Sequence, residues 1–349
     1  MGIIRNINID IVKTLAVFFV LSVHFFLNNN FYSTVIDCPR MYIMCFMRTF
    51  FMMCVPLFLL ITGFLMNKKE FSAKYYKGLN RVISPYIIIS IITLIAEIFL
   101  SKYGIFTLDK WNHYLNDFID FHIVGYGWYV DMYIGLFLLI PFLNQCMTTK
   151  MNDLILVATL LFLTVLPSLC SSPTFIISKW DSLWPITYYV IGAYIARHGV
   201  SISLKNLLTL FIFFYLTFST INVFITYSQT WNVHGIDSWG GFENTITSVL
   251  FFLICLKINF NKLNQNFRNI ISDIAKMSLG IYLSSYLFDK IIYYYFNQYI
   301  KDTTAKLEWY IVIVPIVFML SLLMAKYVDI IYKRINSCIA GNISSEDIR

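Results

Sequence analysis

The stretch DIVKTLAVFFVLSVHFF, residues 10–26, is apolar enough to enter a lipid bilayer, yet it carries Asp10, Lys13 and His24. In an α-helix each residue advances by about 100° and 1.5 Å. Lys13 and His24 are 11 positions apart, so they share nearly one face and stand about 16 Å apart along the axis. Asp10, 14 positions from His24, falls within about 40° of the same face. Ionisable groups inside a span are costly, turn toward a bundle interior or a wet cavity, and mark function by default. The stripe therefore reads as one wall of a cavity, with Asp10 and Lys13 near one end and His24 toward the other. A histidine so placed is suited to take a proton from a hydroxyl at neutral pH, as a general base. The plainer alternative is an interfacial Asp10–Lys13 pair at i,i+3, its lysine reaching the headgroups, with His24 a satisfied packing residue. Taken alone, the stripe suggests a site without naming a reaction.

The rest of the chain must hold that stripe in place. Its 349 residues are 58% hydrophobic and only 13% charged, with a mean hydropathy of +0.69, outside the range of soluble globular domains. The expected class is an all-α, polytopic integral membrane protein. Crossing a hydrocarbon core takes about 17–25 apolar residues in a helix. About ten such stretches stand out, near residues 10–28, 43–66, 82–100, 128–145, 153–170, 183–197, 207–226, 242–257, 277–296 and 308–328. The basic residues before the first stretch are not followed by a small-x-small cleavage site, so it reads as an uncleaved span. An even number of spans puts both termini on one side. Most of the 26 Lys and Arg residues then fall on that side, which the positive-inside rule makes cytoplasmic.

Two connections differ in kind. Residues 67–81, NKKEFSAKYYKGLNR, form a basic cytoplasmic segment, whereas residues 101–127 form a polar, aromatic outer loop. The net charge of +7 is spent on topology in such a protein and does not point to nucleic acid. The seven cysteines form no CxxC pair and mostly sit in apolar spans, which argues against a metal site or a disulfide framework.

Several motifs, in order, resemble the membrane-bound acyltransferase-3 family. IDIVKTLAVFFVLSVH resembles the family's first span, in which an arginine and a histidine flank ten residues; Lys13 and His24 keep that spacing. VPLFLLITGFLM (55–66), RVISPYI (81–87), GWYVDMYIGLFLLIPFLN (127–144), YYVIGAYIAR (188–197) and SLGIYLSSY (278–286) are similar to later family segments. There are departures. Ser285 stands where the family often has histidine, and Lys13 keeps the charge of the family's arginine without its planar fork.

The resemblance implies a transmembrane acyltransferase domain over residues 1–335 with a short cytoplasmic tail at 336–349. It implies transfer of an acyl group, usually acetyl from cytoplasmic acetyl-CoA, to a carbohydrate hydroxyl in the bacterial inner membrane. Acetyl-CoA is then a co-substrate and no cofactor is bound permanently. The expected acceptor is a cell-surface polysaccharide or its lipid-linked precursor, such as O-antigen, capsule or exopolysaccharide, with membrane lipids as the surroundings. On this reading His24 is the base, Lys13 holds a phosphate of coenzyme A or the Asp10 carboxylate, and Asp10 orients Lys13. The polyanionic donor calls for a basic entrance, which designates Lys74, Lys77 and Arg81, with Arg48 as a further charge inside a span. Trp128 and Tyr129 are candidates to stack on a sugar, and Asp131 to pair with Arg48. A transporter or flippase of a polysaccharide precursor, or a polymerase, is the competing class, because a charged cavity also suits substrate passage.

Overall fold

The computed structural model of the chain describes residues 6–106, 111–169, 179–233 and 235–346. Among them the secondary structure is helical, apart from one isolated bridge between Ile36 and Tyr227. The bundle starts with α1 (Ile7–Asn28), α2 (Pro39–Phe51) and α3 (Cys54–Met66). The Asn6 side chain caps α1 by accepting from the Asn8 amide, satisfying one of the donors a helix start leaves open. Pro56 has no N–H to offer the carbonyl of Met52, four residues earlier, and α2 gives way to α3 at residues 52–53. Next come the short α4 (Ala73–Tyr76), α5 (Asn80–Leu100), α6 (Trp111–Ile119), α7 (Trp128–Cys146), α8 (Lys150–Leu160) and α9 (Trp184–His198). The chain finishes with α10 (Leu204–Thr226), α11 (Phe242–Lys257), α12 (Gln265–Lys276), α13 (Ser278–Tyr299), the short α14 (Thr303–Lys306) and α15 (Tyr310–Glu346). The tail expected from residue 336 therefore continues α15 as helix through Glu346.

Among the described residues, seven helical segments are long and apolar enough to cross a membrane, where the sequence suggests ten stretches. The other three stretches coincide with α9, α11 and α13. Helices α9 and α11 have 15 and 16 residues, short of a typical span, and α13 carries Asp289 and Lys290 in its interior. The spanning windows sort into two layers. That of α1 is 78% buried, against 22% for those containing α5, α8 and α10, so α1 is a central post and the others face lipid. Phe99, Phe213 and Phe224 are exposed on these outer helices, as a hydrocarbon solvent permits.

The tightest crossing joins α3 to α9. A Cβ added to Gly63 would lie 1.9 Å from the Tyr189 carbonyl oxygen, and one on Gly192 would lie 2.1 Å from that of Leu60. Only glycine allows backbones so close, which explains Gly63 of VPLFLLITGFLM and Gly192 of YYVIGAYIAR. Polar side chains of α1 are met by residues much later in the chain. Asn8 Nδ2 donates to the carbonyls of Cys255, Leu256 and Ile258 at 2.8–3.1 Å, and Thr14 Oγ1 donates to the Ile271 carbonyl. Ser22 Oγ lies 2.8 Å from the Tyr310 hydroxyl.

The two ends of the bundle differ. At the basic end, Asn144 Nδ2 donates to the carbonyls of Met66 and Lys69, and Arg197 donates to those of Asn67 and Met147. At the aromatic end, the loop after α1 pairs with the loop after α10 through Ile36 N–H to the Gln229 carbonyl and Ser228 N–H to the Ile36 carbonyl, both 2.9 Å.

Candidate active site

His24 lies on the inward face of α1, near the aromatic end, and is buried. Its Nδ1 is 3.2 Å from Oδ2 of Asp289 on α13, a carboxylate only 1% exposed. The Tyr126 ring stacks on the imidazole, with centroids 3.7 Å apart and planes inclined by 27°. Tyr126 O–H donates to the same Asp289 oxygen at 2.8 Å, while Tyr282 O–H donates to the Tyr126 carbonyl at 2.6 Å. The turn that delivers Tyr126 is cramped. Phe121 has φ +60°, a Cβ on Gly127 would lie 1.9 Å from the Phe121 carbonyl oxygen, and one on Gly125 would lie 2.6 Å from the Tyr286 ring. Glycine at 125 and 127 is thus what lets the tyrosine ring lie flat on the histidine.

Such a pair has a defined chemistry. A carboxylate facing Nδ1 holds the proton there and leaves Nε2 as the basic nitrogen. The approach is close without being aligned, since His24 Nδ1 has no hydrogen-bond partner. Catalytic hydrogen bonds of this kind tighten when substrate binds.

His24 opens onto a cavity of about 380 Å3, lined also by Arg48, Tyr126, Trp128 and Trp239. A second cavity of about 260 Å3 lies toward the basic end, lined by Lys13, Arg81, Tyr129 and Tyr133. The two share Val20, Val55 and Tyr282. Lys13 and His24 thus line two separate chambers, set one beyond the other along α1, where the sequence reading expects one cavity.

The other expected site residues divide. Asp10 is buried and accepts a hydrogen bond from Ser272 Oγ of α12 at 2.6 Å. Arg81 reaches the Lys13 chamber, whereas Lys74 and Lys77 are exposed at and just after α4, outside its lining. Arg48, expected on the donor side, lies in the His24 chamber instead. Its ion-pair partner is Asp237 in the loop before α11 and not Asp131. Trp231 lies under its guanidinium at 4.6 Å and donates from Nε1 to Asp237 at 3.0 Å. Asp131 is exposed and lines neither chamber. Trp128 lines the His24 chamber and stacks on Trp239 at 4.6 Å, but Tyr129 faces the Lys13 chamber. The helix pairings that set these contacts are not written in local sequence.

Asp289 and Tyr126 are the candidate site residues that sequence reasoning missed. Asp289 did leave a signal, because a carboxylate inside an apolar helix is itself a marker of function. It follows Ser285 by four residues on α13, one turn from the position where the family often has histidine. Tyr126 left none, since a tyrosine in an aromatic loop is unremarkable.

The described residues thus form a multi-pass helical bundle that buries a histidine–carboxylate pair beside two adjoining chambers, the far one basic. Residues 6–326 match the model of the acyltransferase-3 family, described as an acyltransferase domain. The chain belongs to that family. No curated protein and no solved structure matches it.

Proposed function

We propose that this membrane acyltransferase moves an acetyl group from cytoplasmic acetyl-CoA to a hydroxyl of a cell-surface polysaccharide or its lipid-linked precursor, in the bacterial inner membrane. The supporting observation is the pair of adjoining chambers, read as the two halves of one passage, with Lys13 and Arg81 in one and His24 in the next. Two cations in the chamber at the basic end suit the phosphates of the donor, and Lys74 and Lys77 add charge outside it. The acetyl thioester then points along α1 toward His24. On the other side, the stacked Trp128 and Trp239 offer flat apolar faces to a sugar ring.

In the reaction, His24 Nε2 removes the proton of the acceptor hydroxyl as its oxygen bonds to the thioester carbonyl carbon. The carbon–sulfur bond breaks, and the thiolate of coenzyme A takes the proton back from the imidazolium. Acetyl ester and free coenzyme A are the products. Asp289 stabilises the imidazolium between these steps without being protonated itself. The test is incorporation of labelled acetyl from acetyl-CoA into the glycans of native membranes, with His24→Ala at matched abundance as control. Label that depends on His24 supports the reading. A wild-type protein that labels no glycan overturns it in favour of substrate passage.

A further inference from the structure

Val20, Val55 and Tyr282 border both chambers. They come from α1, α3 and α13 and are 3%, 3% and 5% exposed. On α1, Lys13, Val20 and His24 stand at i, i+7 and i+11, one stripe on a helix, so Val20 lies on the line from the basic chamber to the base. The waist is stiff. Both valines are β-branched and hold essentially one rotamer in a helix, and the Tyr282 hydroxyl is fixed on the Tyr126 carbonyl.

We propose that these three side chains select the acyl group by its width. This rests on the donor entering from the Lys13 chamber, as in the function proposed above. A donor reaching His24 from there leads with its acyl end, followed by an unbranched thioether-like arm. The waist must admit the cross-section of that arm, so a straight acyl chain passes on the same terms. A chain branched beside the carbonyl is one methyl wider at the point that must thread between Val20 and Val55. The transferred groups are therefore short and unbranched, acetyl first among them, and the limit is set by branching more than by length.

Butyryl-CoA and isobutyryl-CoA separate width from size, since they are isomers. The measurement is kcat/KM for each, with acetyl-CoA alongside, in native membranes containing wild type, Val20→Ala or Val55→Ala. Taking the ratio within each variant removes differences in abundance and overall rate. Wild type should prefer butyryl over isobutyryl by about tenfold or more, and either alanine should reduce that preference about tenfold, the scale of one methyl group in a tight pocket. Val55→Leu, from the other helix and in the opposite sense, should increase it. If acetyl is transferred but the ratio is the same in all four proteins, the waist does not select. If wild type transfers no acyl group from any of the three thioesters, the parent function fails and the waist with it.

Discussion

Among the described residues there are two histidine–aspartate pairs, at opposite ends of the bundle. His24 approaches Asp289 to 3.2 Å, and His198 Nε2 approaches Asp153 to 2.8 Å. Both aspartates are 1% exposed, and by distance the second pair is the better made. Its surroundings differ. His198 ends α9 and Asp153 lies in the first turn of α8, so each charge sits where its helix dipole favours it, and neither residue lines the passage. That pair ties two helix ends together beside the Arg197 contacts. The pair at His24 has a stacked tyrosine, a chamber in front of it and cations in the chamber beyond. A close carboxylate therefore does not by itself single out a candidate site; a chamber in front of the imidazole does.

Five substitutions test that contrast. His24→Ala should lower acetyl transfer about 1,000-fold, the usual scale for a general base, measured as label in glycan at equal protein abundance. Asp289→Asn keeps the shape but offers Nδ1 an amide, and transfer should fall about 100-fold with little change in the KM for acetyl-CoA. Lys13→Met should raise that KM about tenfold, the value of a lost charge-assisted contact, while Lys13→Arg should restore it. His198→Ala should leave kcat/KM within about twofold and lower the melting temperature by about 2–4 °C, read by a thermal-shift assay on the purified protein. A loss of transfer in His198→Ala as deep as that in His24→Ala would erase the distinction.

The class of fold was legible because apolar runs of membrane length state their own solvent. That His24, Lys13 and Arg81 line chambers has a related origin. Charges and a base that fall on one helical face, or beside a span entrance, can be placed by spacing alone. The differences over pairing lie where two distant elements meet. Arg48 was matched to Asp131, an acid of a span, because nothing local connects α2 to the loop before α11, where Asp237 waits. Tyr129 and Trp128 are neighbours in sequence but serve different chambers, since adjacent residues on a helix point about 100° apart. Asp289 was hidden by the same ignorance of which helix stands beside α1.

The partners of α1 also have a consequence in time. Asn8 donates to the carbonyls of Leu256 and Ile258, 248 and 250 residues later, and His24 faces an aspartate beyond them. At about 5–20 residues per second, the ribosome needs roughly 12–50 s to make 250 residues. For that interval the first helix has its polar side chains and none of these partners, and His24, inside the span, sits in a medium that does not hydrate it. The post around which the passage is built is thus the first helix of the bundle to be synthesised and among the last to be completed.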